Sequence, residues 1–238
     1  MDFRVLASGS KGNAYLVTDE GRSLLIEAGL PIKTLRRALN FKLSEVDGCL
    51  ISHEHGDHAR SATEVAAAGV TIYGSAGTKQ ELMVPAYRFK QMRSGVPYSV
   101  AGHWRILGFQ AVHDAREPFG FLVEGPTGKL LYLSDSAFSP YRFAGLTHIA
   151  LEANHSRDLL RAGVDAGAYP QAHADRVVRN HMGIEKALEL LAANDLSRCE
   201  EIVLLHLSDG NSSESEFLEA VRRATGIPTY IAAGRATA

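Results

Sequence analysis

The sequence predicts a mixed α/β (α+β) chain in which two sheets pack face to face with helices outside. Three observations carry this expectation. Short apolar runs of strand length are broken by polar or Gly-rich turns, the strands fall into two sections each followed by helices, and a ligand-rich turn at 53–58 joins a buried strand to a helix. With 238 residues, 45% hydrophobic and 22% charged, the chain can build one large domain over 1–238 with a substantial core.

Taken in order, the segments 3–7, 14–18 and 23–27 are β-branched or apolar and predict an antiparallel meander. A helix is expected over 31–39, where Pro31 suits the first turn. The apolar run 48–52 reads as a buried strand, 59–68 as a helix stopped by Gly69, and 70–73 as a further short strand. After a less regular middle, strands are expected over 104–113, 119–124 and 130–133, the last two joined by the turn Pro126-Thr127-Gly128. Helices are expected over 172–179, 184–193 and 213–225, with one strongly apolar strand at 201–207.

The turn His53-Glu54-His55-Gly56-Asp57-His58 concentrates four metal-ligating side chains in six residues. Three imidazoles and a carboxylate are what zinc selects, and less strictly manganese or iron. On a strand-to-helix turn, His53 and His55 can face one metal, while Asp57 and His58, at the helix start, face a second. Helix capping would need one such residue, not four. A metal pair needs further ligands at later strand ends, and His113, Asp135 and His206 each follow an apolar run. Any of these alone would more often be a capped strand end or a satisfied histidine; together with the turn at 53–58 they point to metal ligation.

The order of these residues resembles the metallo-β-lactamase superfamily over nearly the whole chain. The resemblance implies a four-layer αββα sandwich with metals at one edge. It also implies that His53, His55 and His113 hold one metal and Asp57, His58 and His206 the other, with Asp135 bridging. Glu27 stands where the family usually has Asp, which lengthens a side chain expected to orient a ligand histidine. The strings Ser8-Gly9-Ser10-Lys11-Gly12-Asn13, Leu151-Glu152-Ala153-Asn154-His155, Asn180-His181-Met182-Gly183 and His206-Leu207-Ser208-Asp209-Gly210-Asn211 are similar to the bacterial WalJ (YycJ) subgroup and, more distantly, to the PhnP cyclic phosphodiesterases. Proteins of that subgroup are described as DNA exonucleases.

The expected activity is therefore a metal-dependent phosphodiesterase, a DNA or RNA exonuclease using a hydroxide bridging two divalent metals, zinc or manganese before iron. Asp57 and Asp135 are expected at the catalytic centre, and His181 or His155 as proton donor to the leaving group, against the alternative that each is a backbone-bonded loop histidine. Asn13 and Asn154 are expected either to donate to a phosphate or to close their own turns. Between 82 and 113 there is no acidic residue, and Arg88, Lys90, Arg93 and Arg105 lie among aromatics, as a nucleic-acid surface or a solvated loop would have them.

The alternatives are a thioester, ester or lactam hydrolase of the same fold, or a non-catalytic metal-binding regulatory protein. A β-lactamase is disfavoured because neither cysteine falls at a ligand position. A formal charge of -2 argues against binding nucleic acid by bulk electrostatics. Two cysteines, no secretion signal and no long apolar stretch predict a cytoplasmic protein away from membranes. The oligomeric state is left open, a homodimer being compatible.

Overall fold

A computed structural model describes residues 1–232, so 233–238 of the expected single domain lie outside the described residues. The first sheet begins as the expected meander, β1 (Asp2–Ala7), β2 (Ala14–Asp19) and β3 (Arg22–Ile26), all antiparallel. It then adds β4 (Cys49–Leu50), β5 (Ile72–Gly74) and β6 (Phe89–Gln91) in parallel. The connections carry α1 (Ile32–Ala38), α2 (Gly56–Ala59), α3 (Ala62–Ala67) and α4 (Ala76–Glu81).

The second sheet contains β7 (Pro97–Val100), β8 (Trp104–Gln110), β9 (Phe119–Glu124), β10 (Lys129–Leu133), β11 (His148–Glu152), β12 (Glu201–Leu205) and β13 (Thr229–Ile231), neighbours in chain order. Strands β7 to β10 are antiparallel; β10 to β13 are parallel. Parallel pairing needs crossovers, which α5 (Arg157–Asp165), α6 (Gln171–Asn180), α7 (Ile184–Ala192) and α8 (Glu214–Thr225) help to make.

Three hydrophobic clusters define four layers. Tyr15, Ile26 and Leu50 from the first sheet meet Trp104, Phe121 and Tyr132 from the second in the central cluster. Leu35 of α1 and Val65 of α3 cover the outer face of the first sheet. Ala187 and Leu190 of α7, with Phe217 and Val221 of α8, cover the second. The inner strands β10, β11 and β12 are buried on both faces, which is why they read as continuous apolar runs, whereas β1 and β8 alternate.

Several expected boundaries move. The helix expected over 59–68 is two helices broken at Arg60 and Ser61, because Ser61 donates its hydroxyl to Leu30 O at 2.7 Å and its N–H to Ala28 O at 2.9 Å. The strands expected to reach His113 and Leu207 end at Gln110 and Leu205, freeing the residues beyond them. Six segments, β6, β7, β11, β13, α4 and α5, are not expected from the sequence; all but α5 have six residues or fewer.

Topology places the site. Strands β3 and β4 run parallel, as do β10, β11 and β12; β8 shares their direction because both it and β10 oppose β9. The carboxyl ends of these strands carry Glu27, His53, His113, Asp135, Glu152 and His206, and open strand ends are where such sheets present a crevice. Glu27, Asp135 and His206 have φ of 63°, 49° and 53°. That left-handed backbone costs about 1 to 2 kcal/mol per non-glycine residue and turns each side chain sharply out of its strand.

Candidate metal centre

Two groups of ligand atoms converge at this edge, each group's atoms within 4.8 Å of one another: His53, His55 and His113, and Asp57, His58, Asp135 and His206. In the first, His113 Nε2 lies 3.3 Å from His55 Nδ1, and the His53 ring packs at 4.6 Å from His55 and 4.9 Å from His113. In the second, Asp57 Oδ2 is 3.6 Å from His58 Nε2 and 3.8 Å from His206 Nε2. Asp135 touches both groups. Its Oδ2 lies 3.3 Å from His58 Nε2, 3.6 Å from His113 Nε2 and 3.9 Å from His53 Nε2, while Oδ1 lies 3.2 Å from His206 Nδ1.

The ring orientations are set from behind. Asn180 O accepts from His113 Nδ1 at 2.9 Å, which leaves Nε2 as the lone-pair nitrogen facing the centre. Ser52 Oγ holds His53 Nδ1 at 2.9 Å. Glu27, fully buried, places Oε1 3.5 Å from His58 Nδ1 and also accepts from Tyr132 and from Ser52 N–H. The longer Glu thus reaches the histidine it was expected to orient.

Electrostatics test whether the residues fit metal ions. Burial, aided by the charge of His58, pushes His53 well below its ordinary pKa, and burial also lowers His113, so both rings are biased toward the neutral form that can donate a lone pair. Around His206 burial acts the same way, but Asp135, Asp57 and Glu152 outweigh it and raise its pKa to about 10. Burial likewise opposes charge on Asp135, yet His206 and His58 hold its carboxyl well below the usual range. Such a carboxylate cluster draws in positive charge. His53 Nε2 and His206 Nε2 are buried without a hydrogen-bond partner. An unpartnered His53 Nε2 beside the carboxylates of a His and Asp donor set fits a divalent cation, whose charge would replace the proton that these carboxylates favour on His206.

Glu152 was missed in the sequence beyond its place in a string. Fully buried, it accepts from His181 Nδ1 at 2.7 Å, Ser136 N–H at 2.9 Å, Met182 N–H at 3.1 Å and contacts His206 Nδ1 at 3.3 Å. The signal was available: an acidic residue closing an apolar strand, the rule that identified Asp135. His181 stacks on His206 at 5.4 Å and stays partly exposed. Burial lowers its pKa, but the charge and hydrogen bond of Glu152 more than reverse this.

Other expected site residues are placed differently. Asn13 is fully buried, accepting from Gly9 N–H and Tyr15 and directing its amide at Gly9 O, Asp57 and His58, so it is committed internally and offers no phosphate contact. Asn154 donates to His206 O at 2.9 Å and holds that ligand's backbone. His155 is 2% exposed, pairs its backbone with Gly183 and has its pKa lowered by burial. It pins the segment carrying His181, and its burial leaves His181 the more accessible of the two expected donors. Arg88 donates to Gly69 O, which precedes β5, so it sits at the amino ends of parallel β5 and β6, opposite the metal edge. Lys90, mid-strand in β6, is exposed on the outermost strand of the first sheet, away from the cluster.

A family model for the beta-lactamase superfamily domain matches residues 22–207. The chain belongs to this superfamily. It is 28% identical over 226 residues to the exodeoxyribonuclease WalJ of Streptococcus pneumoniae, covering 88% of this chain and 82% of that protein. It is also 28% identical to the exodeoxyribonuclease YycJ of Bacillus anthracis over 230 residues, covering 90% and 85% of the two. The metallo-beta-lactamase fold protein YhfI of Bacillus subtilis superposes with a TM-score of 0.72 at 17% identity, over 96% of this chain and 95% of that one. The αββα sandwich implied by the sequence resemblance is thus the fold of the chain, and the superfamily's His and Asp clusters imply divalent metals.

Proposed function

We propose that this chain is a metal-dependent phosphodiesterase that degrades DNA as an exonuclease, with two divalent metals, zinc or manganese, at its centre. One observation carries the reading: seven ligand residues from two sheets converge in two groups that share Asp135. A structural metal needs only about four ligands. The names of the two relatives, both exodeoxyribonucleases, support DNA as the substrate. Cys49 and Cys199, both free, suit a reducing compartment such as the cytoplasm.

His53, His55 and His113 would hold one ion and Asp57, His58 and His206 the other, with Asp135 between them. When bound, such ions supply Lewis acidity, lowering the pKa of water and neutralising charge on phosphoryl oxygens. The chain supplies the rest. Glu27 and Asn180 fix the rings of His58 and His113, so ligand geometry is set before substrate arrives. Among the described residues no side chain is placed as a nucleophile. A departing alkoxide needs a proton, and His181 holds one: Glu152 takes Nδ1–H and favours the charged ring, leaving Nε2–H for the cleft that His181 lines.

The test pairs metal content by mass spectrometry with hydrolysis of bis(p-nitrophenyl) phosphate, a labelled DNA strand, a labelled RNA strand and a thioester. Metal binding with DNA turnover, both lost in Asp135→Ala, is the expected result. Thioester turnover without phosphodiester turnover would overturn the proposal, as would bound metal with no turnover of any substrate.

A further inference from the structure

Beside His181 and His206 the metal edge opens into a cleft of about 730 Å³. Its floor is apolar, from Val177, Leu204 and Ile231, and one wall is the loop from Ser8 to Asn13. That loop is fastened to the metal centre at both ends. Ser8 Oγ accepts from His206 N–H at 3.0 Å and from Tyr15 at 2.8 Å, while Asn13 N–H donates to Asp57 O at 2.7 Å. Between these anchors Gly9 and Gly12 take φ of 137° and 148°, closed by a Gly12 N–H to Gly9 O bond at 3.0 Å. Side chains rarely adopt such φ, and a methyl on Gly12 would lie 2.7 Å from Gly29 O, so the turn requires glycine at 12.

The consequence is a preset tip. Ser10 and Lys11 sit on it, exposed, and their backbone N–H groups donate to no other described residue. Lys11 is the one Lys or Arg lining the cleft among the described residues. Asp209 and Glu214 line it too, so apart from its histidines the cleft offers a fixed cation at the loop. A compact ammonium, a hydroxyl and unspent backbone N–H groups on one tight turn form the donor set that phosphate oxygens take.

We infer that this loop is a second phosphate subsite: Lys11, with Ser10, holds the phosphodiester next to the scissile one, and the intervening nucleoside lies over the apolar floor. The inference rests on the phosphodiesterase reading and assigns which part of a strand enters the cleft. It accounts for how a chain with net charge -2 engages a polyanion, by one fixed contact in place of a basic face.

The test measures steady-state kinetics on a short single-stranded DNA across a range of salt, in the metal-loaded enzyme. Lys11→Ala should raise KM about tenfold with kcat within about twofold, a change typical of one charged contact. The slope of log KM against log salt should shrink by about 0.7, the value for one phosphate on a single strand. Lys11→Arg should restore most of both. Arg223→Ala, which removes an exposed cation on α8, serves as the control and should leave KM unchanged. Unaltered KM and salt slope in Lys11→Ala overturn the subsite, as would an equal effect from Arg223→Ala. If the wild type turns over neither DNA nor bis(p-nitrophenyl) phosphate, the phosphodiesterase reading itself has failed, and the two failures are read apart.

Discussion

The two ligand groups share one edge and one carboxylate, yet they are built on opposite electrostatic plans. Burial pushes His53 and His113 toward the neutral form, and the carboxylates that approach this group are those of Asp135 and, at His113, Asp114. Around His58 and His206 stand Asp57, Asp135, Glu27 and Glu152, enough negative charge to raise both histidines in spite of their burial. The first group offers lone pairs; the second attracts charge. Borderline ions such as zinc suit the former, whereas oxygen-rich surroundings tolerate harder ions such as manganese, so the two positions should differ in the metal they prefer.

That contrast can be broken outright at Asp135, the residue common to both groups. Asp135→Ala should lower kcat by about 10³-fold or more and deplete both metals, read by mass spectrometry on dialysed protein. Loss of one equivalent only would show that the groups are independent. Next comes His181→Ala, which should keep its metal content and lose about 10²-fold in kcat, the worth of a positioned acid. The loss should shrink on bis(p-nitrophenyl) phosphate, whose leaving group hardly needs a proton. Because Asp135, Glu152, His181 and His206 also lie within ligand reach of one another, a metal-depleted His181→Ala would reassign that histidine as a ligand.

Glu152→Gln removes charge from the second group while keeping its shape. Metal affinity at that position should fall about 10- to 100-fold with the other position unaffected, as competition with a chromophoric chelator would report. A comparable effect, read in stability and not in affinity, is expected at Gly29, where a methyl would overlap Asp57 O. Gly29→Ala should destabilise the fold by about 2 kcal/mol, seen as a lower Tm, and displace α2 with its two ligands. A Tm equal to wild type would mean that the loop and helix can part without cost.

How much of this was legible depends on whether a signal was local. The turn at 53–58 announces itself because its four ligands are adjacent in sequence, and His113, Asp135 and His206 were readable as polar residues closing apolar runs. Glu152 obeys the same rule but was passed over because β11 is flanked by polar residues and went unpredicted. The meander and the two-sheet division were visible in pattern, whereas β6 and β13, of three residues each, owe their pairing to neighbours distant in sequence. Arg88 and Lys90 misled for a related reason: composition marks a segment as basic, but only strand direction says which end of the sheet it occupies. Asn13 and Asn154 lay near the right place, and the fold spends their amides on Gly9, Asp57 and His206 before any substrate arrives.

One feature of the layering bears on the life of the molecule. His53, His55, Asp57 and His58 come from the first sheet, and His113, Asp135 and His206 from the second. A chain that has folded only its first sheet presents neither ligand group complete, so assembling either one requires the two sheets to pack together.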